Sequence, residues 1–198
     1  MSFPYSDMTP TSAPDMTIEL EVDAASAQEH PILERMLQLY KHDFSEFAAI
    51  DSPYGELEPD GRFSYPNLAS YWEEEEDRVP LLTRVNGRLA GFALLNRWSP
   101  LDLPTDHAMA EFFILRKYRR AGIGTMAARE IITRFPGAWV IAVAHYNRPA
   151  LAFWRSALSR LEIVCQLQEH VGDGRRWTGP VFCFTTIGSQ SIKRTRNP

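Results

Sequence analysis

The chain has few cysteines and no long apolar run, and each absence excludes a class of protein. Its 198 residues include two cysteines, Cys165 and Cys183, too few for a disulfide scaffold or a cysteine-based metal site. We expect two small, buried, apolar side chains there. No apolar run approaches the roughly 20 residues that a membrane-spanning helix needs. The N-terminus also lacks the basic-then-apolar pattern of a signal peptide, so we expect a cytoplasmic protein without a membrane partner.

The charge balance and the nucleophile content exclude two further classes. The net charge is -4, and no broad basic face is evident, which argues against nucleic acid as a partner. The sequence also has no convincing Ser-His-Asp or Cys-His arrangement of the kind that forms a covalent intermediate. One strong charge run is present at residues 73–77, and it is most simply explained as a solvated helix end.

The most informative segment is the stretch from Glu111 to Gly124. An apolar run resembling a buried strand is followed by a basic turn, and then Gly122 and Gly124 open a helical pattern. Helix N-termini present unpaired N–H groups and a partial positive charge, so they hold phosphate groups well. The basic residues of the turn add full charges at the same place: Arg116, Lys117, Arg119 and Arg120. The segment predicts a ligand that carries phosphates.

Two ligand classes fit this turn. Gly122-x-Gly124-x-x-Ala127 satisfies the loose dinucleotide fingerprint, which expects an acidic residue about 20 positions on to hold a ribose. The next predicted strand, 139–144, is followed by His145, Tyr146 and Asn147, with no carboxylate. The second class is the pyrophosphate of coenzyme A, and the sequence favours it.

Two segments resemble the GCN5-related N-acetyltransferase (GNAT) family. Arg119-Arg-Ala-Gly-Ile-Gly124 resembles its Arg/Gln-x-x-Gly-x-Gly/Ala signature, and Asn147-Arg-Pro-Ala-Leu-Ala-Phe-Trp154 resembles its Asn-x-x-Ala-x-x-Phe-Tyr segment. The resemblance covers about residues 17–187. It implies acetyl-CoA as co-substrate, an amine acceptor, no metal, and a monomer or homodimer. Independently of the resemblance, the composition of residues 1–16, rich in Ser, Thr, Pro and Met, and of the polar, basic residues 188–198 predicts flexible tails around a single domain at 17–187.

The order of predicted elements agrees with this family. Hydrophobic periodicity, together with the hairpin signal Asn86-Gly87, predicts the order β-α-α-β-β-β-α-β-α-β-β. The predicted strands are 17–22, 79–85, 88–96, 110–115, 139–144, 163–169 and 181–186. The predicted helices cover about 33–47, 68–76 and 122–135, and a last one starts near residue 147. The resemblance implies an α+β, three-layer fold: a mixed, mostly antiparallel sheet with splayed fourth and fifth strands, and helices on both faces.

The resemblance also assigns residues to cofactor binding. Backbone groups of the fourth strand would pair with the pantetheine amides, the basic glycine turn would hold the pyrophosphate, and the start of the last helix would contact the arm. The residues are Phe112, Phe113, Ile114, Arg119, Arg120, Ala121, Gly122, Ile123, Gly124, Thr125, Asn147 and Trp154.

Catalysis in this class is direct attack of a neutral amine on the thioester, which requires a base and a proton for the departing thiolate. Glu111, among apolar neighbours, is the first candidate base, and His145 is the second. Trp154 stands where many relatives place a proton-donating tyrosine, and an indole cannot supply that proton. Tyr146 is a candidate substitute.

Three polar residues of the first helix, His42, Asp43 and Glu46, are further candidates for lining the acceptor pocket. The acidic run at 73–77 is a possible rim that attracts a cationic amine. We therefore expect an N-acetyltransferase acting on a primary amine of a small molecule or peptide. The alternative is a CoA-binding regulator or sensor with little catalysis. The sequence leaves open the acceptor and whether the acyl group is acetyl or longer.

Overall fold

A computed structural model describes residues 17–73 and 77–187. In chain order the elements are β1 (Leu20–Ala24), α1 (His30–Ser45), α2 (Ser70–Glu73), β2 (Val79–Val85), β3 (Arg88–Asn96), β4 (His107–Ile114), α3 (Ile123–Arg134), β5 (Ala138–Ala142), α4 (Arg148–Arg160), β6 (Val164–Val171) and β7 (Pro180–Thr186). Short 3-10 turns lie at Ala27–Glu29 and Arg116–Tyr118. The two predicted tails, the end of the predicted 68–76 helix and most of the acidic run lie outside the described residues.

The strands form one mixed sheet in the order β1-β2-β3-β4-β5-β7-β6. Neighbouring strands are antiparallel except for β4 and β5, which are parallel. The predicted order of elements and the predicted α+β fold are therefore confirmed. The β2–β3 hairpin turns at Asn86 and Gly87, whose φ angles of 50° and 70° are those that a tight hairpin requires.

Apolar residues on the two faces of the sheet bury separate sets of helices. On one face, α1 and α2 pack through Leu33, Leu37 and Tyr71 against β2, β3 and β4. On the other face, α3 and α4 bury a larger cluster that contains Ile131 and Leu158. Period-3.6 spacing in the helices and near-continuous apolar residues in the central strands produce this three-layer arrangement.

The strands β4 and β5 separate soon after they begin. Their pairing includes only His107 with Trp139 and Ala108 with Val140. The pairing of β4 with β3 also shifts register between Leu94 and Leu95, which places Ala110 in a bulge. Backbone groups of β4 that face β5 beyond Ala108 consequently have no strand partner, and a gap opens between the two strands.

Five of the seven strands have boundaries that differ from the sequence prediction by one to three residues, and the largest differences are in the first and fourth strands. The first strand runs from Leu20 to Ala24 rather than from 17 to 22, because it pairs with β2, which ends at Val85 opposite Leu20. The fourth strand starts at His107, three residues before the predicted start at Ala110. Its first two residues gain their strand character by pairing with β5, a long-range contact that local sequence does not encode.

The two cysteines lie on neighbouring strands at the end of the sheet. Cys165 on β6 and Cys183 on β7 are free thiols and are half-buried rather than fully buried as predicted. Burial raises the pKa of the Cys183 thiol. The exposure of β6, the edge strand of the sheet, explains why they are not enclosed. Within the described chain, none of the helices combines the length and the apolarity that crossing a bilayer requires.

Candidate active site

The glycine turn after β4 forms the N-terminus of α3. Gly122 caps the helix with a φ of 80°, and its carbonyl accepts the Met126 N–H at 3.0 Å. A Cβ at this position would meet nothing within 4 Å, so the requirement for glycine is conformational rather than steric. Arg120 also has a positive φ, at 64°. The turn therefore directs the first N–H groups of α3 outward, where an anion can reach them.

A groove of about 540 Å³ runs from this turn along β4 to the start of α4. Ten of the twelve predicted cofactor residues line it: Phe112, Phe113, Ile114, Arg119, Arg120, Gly122, Gly124, Thr125, Asn147 and Trp154. Ala121 and Ile123 are not among the lining residues, and the Ile123 side chain is buried in the core against α3 and α4. Only the backbone of these two residues is left to serve a ligand in the groove.

Two guanidinium groups of the turn are held by one carboxylate of α1. Asp43 accepts from Arg116 Nη2 at 2.8 Å and from Arg119 Nη2 at 2.5 Å, and Arg119 Nε donates to the Ile114 carbonyl at 2.7 Å. Burial opposes ionisation of Asp43, but the hydrogen bonds from Arg119 and Arg116 outweigh it and lower its pKa. The groove thus has positive groups already fixed in place.

This ion-pair cluster changes the interpretation of the polar residues on α1. Asp43 and Glu46 line this groove. They do not line a second space, a cavity between β4 and β5 beside Glu111, and His42 lines neither of the two. Asp43 is drawn to the groove because its carboxylate neutralises the two arginines that follow β4.

Glu111 lies on β4, two residues before the buried Phe113. Both side chains therefore point to the face of the sheet that α1 covers. One carboxylate oxygen accepts a short hydrogen bond from the Tyr40 hydroxyl, and the other accepts from the Tyr65 hydroxyl at 3.1 Å. Burial raises the pKa of Glu111, while the hydrogen bonds from Tyr40 and Tyr65 and the charge of Lys41 oppose that rise. The result is a carboxylate fixed in position with a raised proton affinity.

A cavity of about 490 Å³ lies beside Glu111, in the gap between β4 and β5. Residues 108–112 of β4 form one side, and residues 140–144, from β5 and the segment that follows it, form the other. The cavity and the groove adjoin, because both are lined by Tyr40, Phe44, Phe112, Asn147, Ala150 and Trp154. A long ligand in the groove could therefore present its end to Glu111.

The two other candidate catalytic residues are neighbours whose ring centroids lie 5.2 Å apart, but only one of them reaches the cavity. Tyr146 lines the cavity, and its hydroxyl shares a hydrogen bond with that of Tyr54. His145 is exposed and lines neither space, and its Nδ1 lies 2.9 Å from the Thr178 carbonyl oxygen. The structure thus brings Glu111 and Tyr146 to one cavity and leaves His145 outside it.

Trp154 is buried where α4 meets β4. Its ring packs at 5.1 Å from that of Phe112 and 4.9 Å from that of Phe153. Phe153 in turn stacks on Phe112 at 5.7 Å and fits closely over Gly124, where an added Cβ would lie 3.2 Å from its Cε2. The second glycine of the turn therefore also allows α4 to close on α3, a packing role that the motif did not reveal.

Asn147 caps α4, because its Oδ1 accepts the Ala150 N–H at 3.1 Å. Asn147→Ala should cost about 0.5–2 kcal/mol in the free energy of unfolding, measured by chemical denaturation. If the amide also contacts the cofactor, calorimetry well below the melting temperature should show weaker acetyl-CoA binding. Asn147→Ser is the matched control: its hydroxyl retains the cap, so stability should recover while binding stays weak. Unchanged binding in the Ala variant would leave only the capping role.

Sequence reasoning missed most of the residues around Glu111. Tyr40 recurs with the apolar residues of α1, and that spacing explains the packing of its ring against Phe113 but not the hydrogen bond from its hydroxyl to Glu111. Tyr54 and Tyr65 lie in the connection after α1, which carries no recognisable motif. The available signal was compositional: large aromatic side chains such as Tyr54 and Tyr65 within one connecting segment are unusual for a solvated loop.

Family comparison agrees with the geometry. A model of the acetyltransferase (GNAT) family matches residues 33–158, which include most of α1, the strands β2 to β5, the glycine turn and most of α4. The chain belongs to the GNAT family of acetyltransferases. No curated protein matches it in sequence.

Solved structures with the same fold are distant in sequence. A GNAT-family acetyltransferase from Staphylococcus aureus is 12% identical with a TM-score of 0.56, covering 84% of this chain and 99% of that one. The PaiA N-acetyltransferase of Thermoplasma acidophilum, in complex with coenzyme A, is 12% identical with a TM-score of 0.53, covering 85% and 99%. YncA from Salmonella typhimurium, with acetyl-CoA, is 16% identical with a TM-score of 0.51, covering 85% and 94%.

Proposed function

We propose that this GNAT protein transfers an acetyl group from acetyl-CoA to a primary amine of a small molecule or peptide, by direct attack. Acetyl-CoA-dependent transfer is general for the family. The observation that carries the proposal for this chain is Glu111, held by two tyrosine hydroxyls where the groove meets the cavity. Coenzyme A in the Thermoplasma relative and acetyl-CoA in the Salmonella relative support the choice of donor.

The groove suits the parts of acetyl-CoA in turn. The pyrophosphate would lie on the first N–H groups of α3, with Arg119 and Arg120 beside it. The pantetheine amides would pair with the unpaired β4 backbone at Phe112–Ile114, as an extended peptide pairs with a sheet edge. Trp154 would pack against the arm and direct the thioester toward Glu111.

Residues of the cavity can then be assigned to the first deprotonation of the amine and to the protonation of the thiolate. Glu111 removes a proton from the bound ammonium, directly or through a water, so that the neutral amine attacks the thioester carbonyl. A C–N bond forms and the C–S bond breaks, and the thiolate takes a proton from the Tyr146 hydroxyl. The attacking nitrogen loses its second proton as the amide forms, and solvent carries that proton back to Tyr146 and removes the first one from Glu111. Trp154 cannot act as that acid, because an indole N–H does not ionise near neutral pH. The presence of Trp154 at the position of a proton-donating tyrosine favours a CoA-binding sensor with little catalysis as the second candidate.

An amine-dependence assay separates the two candidates. With acetyl-CoA alone, we expect slow release of free thiol; with a panel of primary amines, we expect faster release and a product heavier by one acetyl group in mass spectrometry. The reason is that a base and an acid flank one cavity. Tight acetyl-CoA binding without any amine-dependent thiol release would support the sensor instead.

A further inference from the structure

Aromatic side chains contribute nine of the 22 residues that line the cavity around Glu111. The wall includes Tyr40, Tyr54, Tyr65, Trp98, Tyr146 and Trp177. Two of these large rings retain much solvent contact, with 52% of Trp98 and 45% of Tyr54 exposed. Exposed aromatic surface lining a concave site marks a place where a ligand is bound.

Two tryptophans from different loops stand together at this wall. Trp98 follows β3 and Trp177 precedes β7, and their ring centroids are 6.4 Å apart at 67°. Trp177 Nε1 donates to the Val143 carbonyl at 3.3 Å. An ion pair between Arg176 and Asp102 joins the two loops. The paired rings are thus positioned by contacts of their own.

The loop that carries Trp177 is itself ordered by one carboxylate. Asp173 Oδ1 accepts from the backbone N–H groups of Arg175, Arg176 and Trp177 at 2.9, 2.8 and 3.3 Å. These bonds fix the turn that brings Trp177 to the cavity. The tryptophan pair is therefore a formed surface before any ligand arrives.

The charges in the wall are few. Among the described lining residues, the ionised side chains are Glu111 and Lys41 alone. The Lys41 ammonium lies 5.3 Å from the centre of the Tyr54 ring, where it already occupies one cation–π position. One carboxylate can therefore neutralise one ammonium group of a ligand, and a second cation would meet Lys41.

We propose that the acceptor is a small monoamine with a flat ring as its body, an inference that rests on the proposed function. The ammonium group would lie at Glu111 among the tyrosines, and the ring would lie against Trp98 and Trp177. A volume of about 490 Å³ fits a small molecule, while the charge pattern disfavours polyamines.

The test compares four acceptors at saturating acetyl-CoA: 2-phenylethylamine, n-hexylamine, 1,6-diaminohexane and a short peptide with a free N-terminus. We expect kcat/KM to be highest for 2-phenylethylamine. Trp98→Ala should lower kcat/KM about tenfold for 2-phenylethylamine and much less for n-hexylamine, because only the ring stacks on the indole. The variant-to-parent ratio cancels differences in the basicity of the amines. Leu103→Ala, in the same loop and 42% exposed, is the matched control. It should leave kcat/KM unchanged for both 2-phenylethylamine and n-hexylamine.

Each contrary result has a distinct meaning. A preference for 1,6-diaminohexane or for the peptide would overturn the inference while leaving the proposed function intact. An equal loss of kcat/KM for both monoamines in Trp98→Ala would also overturn the inference, because the indole would then make no specific contact with the ring of the ligand. Acetyl-CoA binding without acetylation of any amine would overturn the proposed function and this inference with it.

Discussion

Replacing Glu111 by Gln should lower amine-dependent turnover by about 10²–10⁴-fold while leaving acetyl-CoA affinity near the parental value. The amide keeps the shape of the carboxylate: its oxygen can still accept from one of the Tyr40 and Tyr65 hydroxyls, and its NH2 can donate to the oxygen of the other, so the fold should survive. It cannot take a proton from the amine. Steady-state rates combined with calorimetry separate the loss of chemistry from any loss of binding.

The pH profile gives the same prediction a second readout. Burial raises the pKa of Glu111, so the carboxylate is protonated and inactive as a base at low pH. The parental rate should therefore increase with pH as Glu111 loses its proton. This rising limb of the pH–rate profile should lie at a higher pH than that at which a glutamate ordinarily titrates. The Gln variant should lack this limb. An amine with a depressed pKa should be less sensitive to the substitution, because it needs less help to lose its proton.

Tyr40→Phe is the matched control for that limb. The ring keeps its contacts with Phe44, Phe92 and Phe113, while the hydroxyl that lowers the pKa of Glu111 is removed. The limb should therefore move to higher pH instead of disappearing. Parental turnover of Glu111→Gln across about pH 6–9, where such bases titrate, would show that Glu111 is structural.

The sequence predicted the framework because its signals are local. The Asn86-Gly87 turn, the apolar periodicity of α1 and α3, and the capping residue of α4 each depend on neighbours within a few positions. The same holds for the glycine turn, whose backbone geometry follows from the residues in it. These elements were predicted to within a few residues, and their order identified the fold.

The surroundings of Glu111 could not be predicted in the same way. Tyr40, Tyr65 and Trp177 come from α1, from the connection after it and from the loop before β7, and they meet only when the sheet is assembled. Local periodicity carries no information on such contacts between distant segments. His145 has suitable chemistry and lies beside Tyr146 in sequence, but its ring nitrogen lies against the Thr178 carbonyl oxygen, a long-range contact that local sequence also does not encode.

Gly122→Asp should weaken acetyl-CoA binding at least about 10²-fold, the second large effect that the structure predicts. A carboxylate at the N-terminus of α3 would stand where the pyrophosphate is proposed to bind, and two like charges about 4 Å apart repel by several kcal/mol near a protein surface. The parent should bind acetyl-CoA more tightly than NAD, and its binding should weaken as salt increases. Calorimetry across a salt series measures the effect of the substitution, the preference for acetyl-CoA over NAD and the salt dependence of binding.

Two variants separate repulsion from backbone strain. Gly122→Asn has nearly the shape of Gly122→Asp and tolerates a positive φ, so it should retain most of the affinity that Asp removes. Gly87→Asp places the same residue at a φ of 70° in the β2–β3 turn, with open space around it and away from the groove. It should reduce stability by about 1–2 kcal/mol and leave acetyl-CoA binding unchanged. Parental affinity in Gly122→Asp would instead mean that the pyrophosphate does not bind at the glycine turn.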